Sequence, residues 1–269
     1  MDSKEKQQEL EVLDDEELQA LVLEAQQEAL SPEGRKKMEN KSRRPFPKWL
    51  FWLIAIVMVV NTFVVLFEVY SIPAIEFVKT STRLSAQDDI ASYKKSVVVV
   101  NTDGSKGTGF AISSEGTILT NYHVIEGNNS VTVSFPEDGR FTAKVVETYP
   151  SIDLAVLEVN GQDLPSLQLA EDTHMTADDP VIFIGNPLRF SGIANEGTLL
   201  GEIQLKNWEE PVRMMEAPVY RGNSGSPLLN SEGQVIGVVF ATLDHEAHGR
   251  VGLFVPIDLF YEQQHSYKR

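Results

Sequence analysis

Cysteine does not occur among the 269 residues of this sequence, and Lys and Arg together number 23 against 39 Asp and Glu. The first absence excludes disulfides, a thiolate metal site and a cysteine nucleophile, so an exported domain built from this chain must rest on packing alone. The second gives a net charge of −16. That excludes nucleic acid as a partner, because a binder must neutralise phosphates with Lys and Arg. The surplus of carboxylates reads as a solvated surface. No internal repeat recurs at solenoid or propeller spacing. With 42% hydrophobic residues, the chain is not disordered and is long enough for one sizeable globular unit with appendages.

Long apolar runs are also lacking, with one exception. WLFWLIAIVMVVNTFVVLF over 49–67 is interrupted only by Asn61 and Thr62 and would reach roughly 28 Å as a helix, enough to cross the hydrocarbon core of a bilayer. It begins too far into the chain for a cleaved signal peptide, and no clear small-x-small site follows. We therefore expect one membrane-spanning signal anchor over 49–70. Arg35, Lys36, Lys37, Lys41, Arg43, Arg44 and Lys48 precede it, which places the amino terminus in the cytoplasm and everything after about residue 70 outside. The acidic cytoplasmic part of 1–48 carries Leu10, Leu13, Leu18, Leu21 and Ala25 at near-helical spacing. Asp14 and Glu17 form a capping-box signal for a helix ending near Leu30. That helix is either a short, fraying element or a docking site for a partner.

From about Asp88 the pattern changes to short runs rich in Val, Ile, Thr and Phe, such as SVVVVN (96–101), TILT (117–120) and VIGVVF (235–240), separated by Gly, Asn, Asp and Ser clusters. Turn signals about every ten residues predict an all-β sandwich or barrel.

Five histidines occur. His123 follows an apolar strand in TNYHV and so falls at a rim, where a side chain can be oriented by the core and still face a cleft. His245 and His248 form an H-x-x-H without the spacing or glutamate of a zincin helix, so no metal site is expected. Asp153, in SIDLAVLEV (151–159), has the most apolar surroundings of any aspartate in the outer part. Such a carboxylate either caps a strand edge or orients a histidine. Ser224 stands between glycines in YRGNSGSPLL (220–229), as a turn serine or as a nucleophile.

Taken together, TNYHV, DLAVL and GNSG, in the chain order His, Asp, Ser, resemble the trypsin-like serine proteases and specifically the bacterial HtrA/Deg group. GTGFAISSEGTILTNYHVI, FIGNP (183–187) and GQVIGVVFA with GLFVPIDL support the likeness, which covers roughly 88–262. The resemblance implies two antiparallel six-stranded β-barrels, with His123 and Asp153 on the first (about 88–170), Ser224 on the second (about 171–262), and a linker over 71–87 before a protease domain at 88–269. It implies a catalytic triad of His123, Asp153 and Ser224, with the backbone N–H groups of Gly222 and Ser224 as the oxyanion hole. An α/β-hydrolase is excluded, since its elbow needs G-x-S-x-G and its histidine follows the serine.

By the same resemblance the residue six before the nucleophile, Pro218, lies at the base of the primary specificity pocket, and Val238, Val239 and Phe240 form another wall. No acid stands there, so an apolar residue before the cut is expected. Ser226 replaces the second glycine of the usual Ser-Gly-Gly-Pro and could reshape the wall beside the cleft. Asn223 replaces the aspartate of digestive relatives, which makes zymogen cleavage an unlikely route. No PDZ domain follows before Arg269.

The expected partners are exported or misfolded polypeptides and the membrane, with no cofactor; relatives are often trimers, so a homo-oligomer is compatible. A non-catalytic binding or holdase module on the same fold is the alternative. A membrane adaptor acting through its acidic segment is a third reading.

Overall fold

The computed structural model describes residues 15–30, 47–171, 174–188, 190–206 and 208–267, with the side chains of 65–76 and a few other helical residues outside that description. Leu10, Leu13, Asp14 and the basic residues from Arg35 to Arg44 lie outside the described residues. Contacts divide the chain into two units, Met1–Phe67 and Glu68–Arg269.

The first unit holds helix α1 (Asp15–Leu30) and the start of the long helix α2 (Lys48–Ser85). On α2 the successive side chains Trp52, Leu53 and Ile54 are 65%, 48% and 47% exposed, and Phe63 68%. Apolar groups thus cover every face of this stretch, and among the described residues of the unit none buries it. Among the described residues no helix is long and apolar enough to cross a membrane; the described side chains of the apolar run stop at Val64, short of its end at Phe67.

In the second unit two closed six-stranded antiparallel barrels repeat one topology. The first contains β1 (Val97–Asn101), β2 (Lys106–Ala111), β3 (Thr117–Asn121), β4 (Ser130–Phe135), β5 (Gly139–Tyr149) and β6 (Leu154–Glu158), in the order β1-β2-β3-β6-β5-β4. The second contains β7 (Pro180–Gly185), β8 (Ile193–Ile203), β9 (Val212–Glu216), β10 (Ser226–Leu229), β11 (Val235–His245) and β12 (Gly249–Pro256). Its order, β7-β8-β9-β12-β11-β10, is the same path. Closure removes the edges at which an open sheet would pair with other chains. Helix α3 (Asp88–Lys95) leads into β1, with Asp88 and Asp89 in its first turn and Lys94 and Lys95 in its last, the charge order that the helix dipole favours. A single turn α4 (Tyr122–Ile125) follows β3, and α5 (Ile257–Tyr267) closes the described chain.

Several strands are apolar on both faces, and the packing explains why. Val98, Ile118 and Val133 fill the first barrel, and Phe183, Val239 and Phe254 the second. Their neighbours Val97, Leu119, Ile184, Val238 and Val255 join a third cluster that runs between the barrels with Phe110, Ile152, Leu154 and Leu229. A strand buried on both faces reads as a continuous apolar run, without the alternation of a half-exposed one.

The stretch 71–87, expected as a linker, is helical through Ser85. Phe77, Ser81 and Leu84 recur at i, i+4 and i+7 and are buried. Phe77 meets Tyr220 edge-on at 4.8 Å, Ser81 Oγ accepts the Ala194 N–H at 3.2 Å, and Leu84 belongs to the inter-barrel core. An amphipathic end hidden behind an apolar run gives no separate sequence signal. Leu84→Ala should therefore destabilise the globular unit by about 2–4 kcal/mol, read as a lower denaturant midpoint; an unchanged midpoint would show that the helix end is not part of the core.

Candidate active site

The first barrel presents a paired histidine and aspartate. The chain leaves β3 at Asn121 and turns once as α4, whose Val124 and Ile125 are buried in the barrel and pin the turn. His123, between them and Asn121, keeps 44% of its side chain exposed. Asp153 follows a 3₁₀ turn over Pro150–Ile152 and adopts a left-handed conformation, φ +52°. For a residue with a Cβ that costs of order 1 kcal/mol or more, and several bonds hold it. Its N–H donates to the Pro150 carbonyl, and its own carbonyl accepts from Tyr122 N–H at 3.0 Å and Asn121 Nδ2 at 2.9 Å.

The Asp153 carboxylate then grips His123 twice: Oδ1 accepts the backbone N–H at 2.9 Å and Oδ2 lies 2.6 Å from Nδ1. An ionised carboxylate only accepts, so Nδ1 carries the proton and Nε2 is left free to accept one.

The second barrel presents Ser224 on a turn in which Gly222 and Gly225 have φ of +100° and +86°. A Cβ on Gly225 would fall 1.9 Å from the Thr108 carbonyl oxygen, so the turn presses directly on β2. Each peptide of the turn has its carbonyl held. Arg221 O accepts from Leu188 N–H at 2.9 Å, Gly222 O from Thr108 Oγ1 at 2.7 Å, Asn223 O from Ser226 N–H at 2.9 Å, and Ser224 O from Thr108 N–H at 2.8 Å. Among the described residues no group accepts the N–H of Gly222 or Ser224, whereas those of Asn223 and Gly225 are bonded to Tyr220 and Val239. Because N–H and C=O of a planar peptide point oppositely, fixing the Arg221 and Asn223 carbonyls fixes the direction of these two free donors.

Gly107 lies between the two halves of the site: a Cβ there would meet Val124, beside His123, at 2.7 Å and the Ser224 carbonyl at 3.3 Å. Ser224 Oγ donates to the Phe240 carbonyl at 3.2 Å, and no hydrogen bond joins it to His123. His123 and Asp153 are thus brought together, while the serine hydroxyl is turned toward β11.

The residues read as substrate-binding behave differently from one another. Pro218 is exposed and Phe240 half-buried, its ring 4.8 Å from that of Trp208. Val238 and Val239 have no exposed surface; one packs between the barrels and the other inside the second. β11 is sandwiched at that point, so neither side chain is exposed. Ser226 is also fully buried and faces Gly185, whose Cβ would lie 2.3 Å from its Oγ, so the hydroxyl lies in the core against a glycine.

His245 and His248 stack on one another with centroids 5.1 Å apart, and among the described residues no group of metal-binding side chains gathers. A cavity of about 610 Å3 lined by Gln168, Glu171, Asp179 and Glu232 among others opens on the second barrel and includes none of His123, Asp153 and Ser224. Sequence reasoning missed Thr108, Asn186 and Trp208. Asn186 Nδ2 donates to Val98 O and its Oδ1 accepts from Gly192 N–H, tying a second-barrel loop to the first barrel. A threonine between two glycines, and the asparagine of FIGNP, were the available signals.

Residues 107–238 match the family model described as "Trypsin-like peptidase domain". The chain is 35% identical over 137 residues to a probable periplasmic serine endoprotease, DegP-like, of Chlamydia pneumoniae, covering 49% of this chain and 28% of that one. It is 32% identical over 172 residues to the protein so described in Pseudomonas fluorescens, covering 61% and 35%. The chain thus spans about a third of the length of these curated relatives.

Among solved structures, the active form of the Rv3671c protease from M. tuberculosis superposes with a TM-score of 0.59 at 31% identity over 67% of this chain and 84% of that one. Its inactive form gives the same score at 31% identity over 68% and 94%. The HtrA-type protease AlgW gives 0.60 at 26% over 66% and 62%. Barrel topology, motif order and these likenesses agree, and the chain belongs to the trypsin-like serine proteases of the HtrA/Deg type.

Proposed function

We propose that this chain is a membrane-anchored serine endopeptidase that cuts exported or misfolded polypeptides with His123, Asp153 and Ser224. The observation that carries the reading is the double grip of Asp153 on His123, which leaves Nε2 as a base on the rim where Ser224 emerges. A neutral serine hydroxyl is a poor nucleophile. Rotation of Ser224 Oγ from the Phe240 carbonyl toward Nε2 lets His123 take its proton as it attacks a peptide carbonyl. The oxyanion develops where the Gly222 and Ser224 N–H groups are free, and donors fixed in advance need no reorganisation. His123 then protonates the leaving amine, with Asp153 stabilising the imidazolium. Water repeats the sequence on the acyl-enzyme.

The present hydrogen bond of Ser224 to Phe240 is the one observation that favours the second reading, a polypeptide-binding module without turnover. Casein digestion separates the two. Full-length wild type should degrade it, and Ser224→Ala or His123→Ala should lower turnover by about 10⁴ or more; equal rates in wild type and Ser224→Ala would contradict the triad.

Pro218 and the half-buried Phe240 leave no acid at the expected pocket, and an unpaired Arg or Lys buried there would cost several kcal/mol. Fragments from the same digestion should carry Val, Ala or Leu at their new carboxyl ends; fragments ending mainly in Arg and Lys, absent with Ser224→Ala, would overturn that reading.

Anchoring rests on the apolar run of 49–67 and on the all-round exposure of its described side chains, a surface that water does not favour. The chain should stay with membranes through alkaline extraction, and protease added to spheroplasts should digest the part after residue 70 while sparing the amino terminus. Release by alkali, or the reverse protection, would contradict the anchor or its orientation.

A further inference from the structure

Resting on the reading of Ser224 as nucleophile, we infer that Thr108 is a positioning residue: its side-chain hydroxyl, on the first barrel, sets the oxyanion turn of the second. Thr108 is fully buried on β2. Its Oγ1 donates to the Gly222 carbonyl at 2.7 Å and accepts from the Asn186 N–H at 2.9 Å. The accepted bond leaves the hydroxyl proton directed at Gly222, so the rotor has one orientation. Its backbone adds a second tie, N–H to Ser224 O at 2.8 Å, and its carbonyl is in turn fixed by Thr120 Oγ1 at 2.6 Å.

Thr108 therefore holds two of the four carbonyls of the turn, and the Thr108 hydroxyl is the single side-chain group among the four donors to them. The peptide that it fixes, Gly222–Asn223, lies between the two peptides whose N–H groups are free. Its other end is held by the Asn223 N–H on the Tyr220 carbonyl at 3.0 Å, so without the hydroxyl it can tilt about that bond and shift the donors on either side.

Asn223 supplies no substitute. It is fully buried, yet no protein group among the described residues hydrogen-bonds its side-chain amide, and it carries no charge for an ion pair. The turn is anchored across the barrel seam by a hydroxyl on the neighbouring barrel. Replacement by valine keeps the shape but leaves the Gly222 carbonyl and the Asn186 N–H without partners, whereas serine keeps both bonds.

The test compares detergent-solubilised full-length wild type with Thr108→Val and Thr108→Ser. Thr108→Val should lower kcat on a chromogenic peptide amide by about 10- to 100-fold, below or near the loss of one oxyanion donor, with KM within about twofold; Thr108→Ser should recover most of it. Affinity for a peptide aldehyde, which forms the tetrahedral adduct, should fall in parallel, while affinity for the cleaved product peptide should not. Equal weakening of aldehyde and product, or no recovery with serine, would make Thr108 merely structural and overturn the inference.

The readout independent of turnover is the Gly222 amide resonance in chain labelled with ¹⁵N-glycine, which should move in Thr108→Val and return in Thr108→Ser. If wild type hydrolyses nothing, the catalytic reading fails on its own, and an unmoved Gly222 resonance still overturns the positioning role.

Discussion

The amide of Thr108 donates to the carbonyl of Ser224, and through that bond a strand of one barrel holds the turn of the other. Each barrel is closed and could satisfy its own ladder; what they cannot do separately is form the proposed site, because His123 and Asp153 belong to one and Ser224 to the other. The seam must therefore be held to within a fraction of an ångström. Gly225 allows the approach, since a Cβ there would collide with the Thr108 carbonyl across it, and a Cβ on Gly107 would press on the Ser224 carbonyl at 3.3 Å. The apolar cluster running from Phe110 and Leu119 to Val238 and Val255 supplies the adhesion, and interiors packed at this density deform little. Apolar burial provides the force and backbone hydrogen bonds provide the alignment.

The same division explains how local strain is tolerated. Asp153 occupies a left-handed conformation that a residue with a side chain avoids. Its backbone and carboxylate make four hydrogen bonds to Asn121, Tyr122 and His123, at the end of β3 and the start of α4. The buried neighbours Ile152 and Leu154 fix the chain on both sides. In this account the strain serves orientation, for the αL turn brings the carboxylate back over the histidine.

Much of the proposed site was legible because chemistry constrains residue type and order. Histidine after an apolar strand, aspartate inside one and serine between glycines leave few alternatives once they occur in that sequence. The β pattern was legible from the same apolar runs that suggested a pocket wall. VIGVVF over 235–240 is apolar because β11 is buried on both faces, and an apolar run says nothing about which face meets a substrate. The helical end at 71–85 was hidden because its buried stripe of Phe77, Ser81 and Leu84 adjoins a longer apolar run that dominates any window. Thr108 was hidden because its role is a set of hydrogen bonds to backbone groups about a hundred residues away, and such bonds leave no periodicity. The topological identity of the two barrels was equally invisible, since equal strand order needs no equal sequence.

The central claim is that Ser224 acts as the nucleophile although its hydroxyl now rests on the Phe240 carbonyl. Reaction of the full-length chain with a fluorophosphonate, followed by peptide mapping, tests it most directly, because the reagent marks only a serine that a base can deprotonate beside an oxyanion site. The account predicts one adduct, on Ser224, that is lost when His123 is replaced by alanine. An adduct on a different serine, or labelling of Ser224 that survives loss of His123, would contradict it.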